Sequence, residues 1–116
     1  LRHAHDDLLL MLQIETAAAV SAVPAIAAVD GVDLLFIGPN DLAGSIDRLE
    51  ALDAPDAAAL IADAERAIRA TGTWMGTIPR PGATARDLYA AGHRVVLGPS
   101  DLALFRAAAV EARGGF

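Results

Sequence analysis

Asp33-Leu-Leu-Phe-Ile-Gly-Pro-Asn-Asp-Leu-Ala-Gly-Ser45 is the stretch around which this chain is organised. Leu34–Ile37 is an unbroken apolar run, the pattern of a parallel strand covered on both faces. Gly38-Pro39 ends it, and Asn40-Asp41 can open a turn or a short helix. Folds of the α/β class keep their chemistry just beyond the carboxyl ends of buried parallel strands, and Asp41 falls there. Residues 8–14 form a second apolar run, with Gln13 as its one polar member, and Glu15 follows directly. If the two runs are neighbouring strands, about 4.8 Å separates them and both carboxylates leave the same rim. Two carboxylates held that close repel each other unless a cation lies between them, and a hard divalent ion suits such a pair.

Outward from these strands, the pattern repeats. Thr16 is a fit N-cap for an Ala-rich helix over 17–22, and Pro24 reads as the restart of a second helical turn reaching residue 29. Asp30-Gly31 signals a turn. A charged, exposed loop is expected over 46–54. Pro55-Asp56 then opens the clearest helix, to about residue 70, with Ala57, Leu60, Ile61, Ala64, Ala67 and Ile68 on one stripe. Asp63, Glu65 and Arg66 fall off that stripe, and Gly72 stands past the helix end. A third strand is read over 73–78, a short helix over 87–91 with Gly92 as its stop, a fourth strand over 94–97, and a last helix over 102–112. The order is βα four times, which predicts α/β architecture with parallel strands. Ile37-Gly-Pro-Asn-Asp-Leu-Ala returns as Leu97-Gly-Pro-Ser-Asp-Leu-Ala, two βα units later. Four units are half of a closed (β/α)8 barrel, and 116 residues are about half of its usual ~250.

Composition narrows the chemistry. With 54% apolar and 21% charged residues, the chain reads as one globular domain, residues 1–116, with a modest core. A net charge of −6 argues against nucleic acid and anionic membrane surfaces as partners. No apolar run reaches the length of a membrane span. Cysteine is absent, which removes disulfides, thiolate metal sites and thiol nucleophiles. All nine basic residues are arginines, so Schiff-base and pyridoxal chemistry have no amine to use. Carbonyl chemistry on this chain must rely on a metal or on fixed hydrogen-bond donors. The first residue is not Met and the start fits no signal peptide, so the expectation is a fragment or partial reading frame.

Gln13-Ile14-Glu15-Thr16, then Gly31-Val32-Asp33, then 36–45 carry a likeness. Together with residues 76–81 and 98–101, they resemble the HpcH/HpaI aldolase/citrate lyase family, in its 2-keto-3-deoxy sugar acid and 4-hydroxy-2-oxoheptanedioate aldolase branch. The likeness covers the whole chain but only the second half of that family's barrel. It implies the carboxyl-terminal half of a metal-dependent class II aldolase on a (β/α)8 barrel, with the amino-terminal half absent. Glu15 and Asp41 match the two carboxylate ligands of a divalent ion, Mg²⁺ or Mn²⁺. Gln13 is implied to lie beside the bound 2-oxo acid, with the backbone amides of Asn40 and Asp41 at its carboxylate. The implied reaction cleaves a 4-hydroxy-2-oxo acid or 2-keto-3-deoxy acid to pyruvate and an aldehyde, in a cytoplasmic homo-oligomer.

The likeness also implies what this chain lacks. The family's orienting arginine and its acid/base histidine come from strands of the first half, so no catalytic residue is expected here and the isolated chain is expected to be inactive. A CoA-ester lyase of the citryl or malyl type is an alternative, although an acidic chain without lysine offers little to such a substrate's phosphates. A non-catalytic remnant serving assembly is another. The remaining polar residues read as structural. His3 and His5 read as a solvated helix end, His93 as surface polarity before a strand, and Asp101 as part of the start of the last helix. Arg80 reads as a solvated loop arginine, and Phe36, Trp74 and Met75 as core.

Overall fold

The computed structural model describes residues 8–114; the His3/His5 pair lies outside them. Four parallel strands, β1 (Met11–Ile14), β2 (Leu34–Ile37), β3 (Trp74–Thr77) and β4 (Val95–Val96), form one sheet in chain order. Helices separate them: α1 (Ala17–Ala27) after β1, α2 (Pro39–Gly44) and α3 (Pro55–Thr71) after β2, α4 (Ala85–Ala90) after β3, and α5 (Asp101–Gly114) after β4. The register pairs Ile14 with Ile37 and Phe36 with Gly76, so the carboxyl ends of the strands come level along one rim.

The core lies between the sheet and α1 and α3. Ile14, Leu35, Ile37 and Met75 point from the strands into Val23, Ile61, Ala64 and Ile68. Strand alternation sends Leu34, Phe36, Trp74 and Gly76 to the opposite face. There Phe36 leans over Gly76, where an added Cβ would stand 2.8 Å from Phe36 Cδ2 and 3.0 Å from the Val95 carbonyl oxygen. Only glycine fits between these two strands. At the rim, buried Thr77 donates its hydroxyl to the Ile37 carbonyl at 3.0 Å and ties β3 to β2.

Several sequence expectations are corrected. The first strand is Met11–Ile14 rather than 8–14, because its one neighbour, β2, is only four residues long. Leu8, Leu9 and Leu10 lie exposed ahead of it. Pro24 does not divide α1; it sits on the exposed side, so losing one backbone bond there leaves the buried Val23 face intact. Trp74 is 55% exposed, because at the start of β3 it borders an open groove with Gly72, Gly92 and Arg94. The other boundaries fall within a few residues of expectation. Gly72 ends α3 in the left-handed conformation, φ 78°, as its place past the helix end predicts. Thr84 and Asp87 cap α4 reciprocally in a capping box, and their hydrogen bonds hold the Asp87 carboxyl below its ordinary range.

Candidate metal and substrate site

Glu15 is the first residue past β1, and Gly38 the first past β2, with the Gly38 amide donating to the Ile14 carbonyl at 3.3 Å. Asp41 follows in the first turn of α2. The register therefore brings Glu15 and Asp41 to the same rim, at the ends of adjacent strands. Gln13 shares the face of Glu15 by strand alternation, and its Nε2 donates to Glu15 Oε1 at 2.7 Å. The Glu15 side chain lies across Gly38: a Cβ built there would meet Glu15 Cγ and Oε1 at 3.0 Å. Gly38 is thus a cradle for that carboxylate as well as the end of a strand.

The two rim loops are locked together. Thr16 Oγ1 accepts from the Ala19 amide and caps α1, while the Ala17 amide donates across to Ser45 Oγ at 3.1 Å. Ser45 in turn donates to the Leu42 carbonyl at 2.7 Å. The segment carrying Glu15 and the helix carrying Asp41 are held by one hydroxyl. No side chain caps the start of α2, where Asn40 and Asp41 stand exposed. A cavity of about 750 Å³ opens beside them on the same rim, walled by Asn40, Ile78, Pro79, Leu97, Ser100 and Ala103. None of these six side chains is charged. A second groove, about 300 Å³, lies at the far ends of the strands around Trp74 and Arg94 and is remote from both carboxylates.

The donor set fits a hard divalent ion in part. Two carboxylates share a rim, one is steered by an amide and seated over a glycine, and no described cation pairs with either. No group of three or more metal-ligating side chains occurs among the described residues. Further ligands must then come from water, substrate or another part of the protein.

Two residues read as surface features lie elsewhere than expected. His93 is 2% exposed, and its Nε2 stands 3.4 Å from Glu65 Oε1. Arg80 turns away from the rim cavity and pairs with the same oxygen at 2.7 Å, both side chains 16% exposed. The signal was weak in sequence. Glu65 falls beside the apolar stripe of α3, and no local pattern announces that two later loops reach it. Asp101 behaves as read, accepting from the Leu102 amide at the start of α5, and Ser100 beside it accepts from the Ala103 amide.

The family model for HpcH/HpaI aldolase/citrate lyase matches residues 1–108. The chain belongs to this family. It is 37% identical to a hydroxypyruvate/pyruvate aldolase of Cupriavidus necator over 97% of this chain and 42% of that protein. A 2-keto-3-deoxy-L-rhamnonate aldolase of Klebsiella pneumoniae is 35% identical over 88% of this chain and 38% of its own length. The crystal structure of an HpcH/HpaI aldolase/citrate lyase family protein from Burkholderia cenocepacia superposes with a TM-score of 0.85. That overlay spans 98% of this chain and 44% of the other, at 32% identity. The family's relatives named here are aldolases, carbon–carbon lyases. This chain spans about two fifths of the length of the curated relatives it matches, and its four parallel βα units overlay part of a TIM barrel.

Proposed function

We propose that this chain is the carboxyl-terminal half-barrel of a class II aldolase that cleaves a 4-hydroxy-2-oxo acid or 2-keto-3-deoxy acid to pyruvate and an aldehyde. The observation that carries it is the rim geometry: Glu15, seated over Gly38 and bonded to Gln13, beside Asp41 on the next strand's helix. Glu15 and Asp41 would hold Mg²⁺ or Mn²⁺. The bound ion supplies a Lewis acid for the 2-oxo group.

The protein's own groups do the rest of the positioning. Gln13 fixes the direction of the Glu15 carboxylate. The Asn40 and Asp41 amides, at a helix start that no side chain caps, receive the carboxylate of the 2-oxo acid. The uncharged cavity beside them takes the remainder of the substrate and keeps water from it. Among the described residues no histidine stands at this rim, since His93 is buried at the amino end of β4. The acid/base and the orienting cation therefore belong to the barrel half that this chain does not contain. A homo-oligomer in the cytoplasm is part of the same proposal; no described helix is long and apolar enough to cross a membrane.

Mn²⁺ titration followed by electron paramagnetic resonance tests the metal site. Saturable binding by the chain, lost in Asp41→Asn and in Glu15→Gln, is the expected result. Pyruvate release from a 4-hydroxy-2-oxo acid tests the division of labour. The chain alone is expected to show negligible turnover, because general acid/base catalysis is typically worth roughly 10²–10⁴-fold. The chain joined to a first barrel half is expected to be active and chelator-sensitive. Inactivity of that longer chain with both carboxylates intact would point to a non-catalytic remnant.

A further inference from the structure

We propose that Glu65, Arg80 and His93 form a clamp that positions the β3–α4 loop, and through it the Ile78–Pro79 wall of the rim cavity. This rests on the reading of that rim as the substrate side. Ile78 and Pro79 line the cavity, and Arg80 is the next residue. Its backbone closes a tight turn with Ala83, through reciprocal bonds of 3.1 and 2.9 Å, and Gly82 takes the left-handed conformation the turn needs, φ 77°. A turn of this kind fixes its own shape but not its place on the sheet.

The place is set by the Arg80 side chain. It leaves the rim and reaches Glu65 on α3, whose neighbours Ala64 and Ile68 are core. His93 approaches the same carboxylate oxygen from two residues before β4. At 3.4 Å the contact is long for a hydrogen bond. Three segments far apart in sequence therefore meet at one carboxylate oxygen. The surroundings are specific. Arg80 and Glu65 border a cavity of about 200 Å³ that Asp53 also lines. Arg69, one helical turn beyond Glu65, is occupied with the Ala91 carbonyl at 3.0 Å. The Arg80 Nη1 and both His93 ring nitrogens are buried with no described hydrogen-bond partner, so the Glu65 charge is what compensates this cluster.

The three residues touch no substrate position; they are positioning residues. His93 first of all, and then Arg80, hold the Glu65 carboxyl below its ordinary range against the opposing effect of burial. An acid with a depressed pKa stabilises the fold above its unfolded value, about 4.3. That contribution is lost as pH falls through the lower, folded value.

Hydrogen exchange of the 116-residue chain tests the clamp without any ligand, so its failure is distinct from failure of the aldolase reading. At pH 7, Arg80→Met and Glu65→Gln are each expected to speed exchange of the Arg80 and Ala83 amides, which carry the turn's hydrogen bonds, at least ten-fold beyond any change in β2. Arg80→Lys is expected to retain part of the protection. Removing both partners together should cost no more local protection than the worse single change, because neither charge is then stranded. Protection of the Arg80 and Ala83 amides in the parent chain should fall as pH drops through the lowered Glu65 pKa, and the fall should be markedly shallower in Glu65→Gln. Unchanged exchange at the Arg80 and Ala83 amides, an equal rise in β2, or identical pH profiles for the parent and Glu65→Gln would each overturn the clamp.

Discussion

At the scale of single residues, the proposed metal site depends on groups that would not themselves be ligands. Gln13 donates to Glu15 at 2.7 Å and so selects one orientation of a side chain that otherwise has several. Gly38 contributes by having no Cβ, since one would press on Glu15 Cγ and Oε1 at 3.0 Å. Partners of this kind typically change metal affinity by roughly 10–100-fold when mutated. Gln13→Ala and Gly38→Ala are each expected to weaken Mn²⁺ binding within that range while leaving the far-ultraviolet circular dichroism unchanged. Gly38→Ala should act through displacement of a flexible side chain, so its effect on thermal unfolding should be small. Affinity equal to the parent in both variants would show that Glu15 needs no support to bind.

Elements succeed here by fitting closely to one another. β2 is buried along its whole length, and the strand beside it makes room through Gly76. An alanine there meets not only the Phe36 ring but the Val95 carbonyl, which is backbone and cannot swing away. Overpacking of this kind costs about 1–3 kcal/mol. Gly76→Ala is expected to lower the stability of the chain by that amount in urea unfolding, with an unchanged m-value. The damage should concentrate at β3 and β4 in exchange measurements, since the clash opens that pairing first. Helix α1 gives the converse lesson. Pro24 removes one internal bond and still leaves one continuous helix, because its position is exposed and the neighbouring Val23 is the anchor.

For the whole molecule, the sheet is open at both sides. β1 and β4 each have one strand neighbour among the described residues, and unpaired strand edges template association. Exposed apolar side chains flank both edges, Leu8 to Met11 beside β1 and Leu97 after β4, and α5 exposes Leu102, Leu104, Phe105 and Val110. Exposed apolar side chains beside unpaired strand edges favour a partner. The 116-residue chain is expected to self-associate as its concentration rises, read by light scattering. A monomer with cooperative unfolding at high concentration would show that the edges are protected. Supplying the first barrel half in trans should suppress the association, since it covers the same two edges.

The sequence by itself determined the alternation of strands and helices, the buried character of β2 and the placement of Glu15 and Asp41 just past strand ends. These follow from local signals: an unbroken apolar run, the Gly-Pro stop and the caps at Thr16 and Gly72. The Gln-x-Glu-Thr and Gly-Pro-x-Asp-Leu motifs also placed the chain in its family. The tertiary structure alone decided which side chains meet across distance. No spacing rule shows that Ser45 caps the helix after β1, or that Gly38 makes room for Glu15. Trp74 reads as core by residue type, yet lies exposed at the start of β3, beside an open groove that its neighbours leave unfilled. Arg80 and His93 read as solvated when each is taken with its neighbours. His93 is buried and Arg80 largely enclosed because α3 turns Glu65 toward both loops, and a carboxylate mostly withdrawn from water is stabilised by the nearest cationic and polar groups.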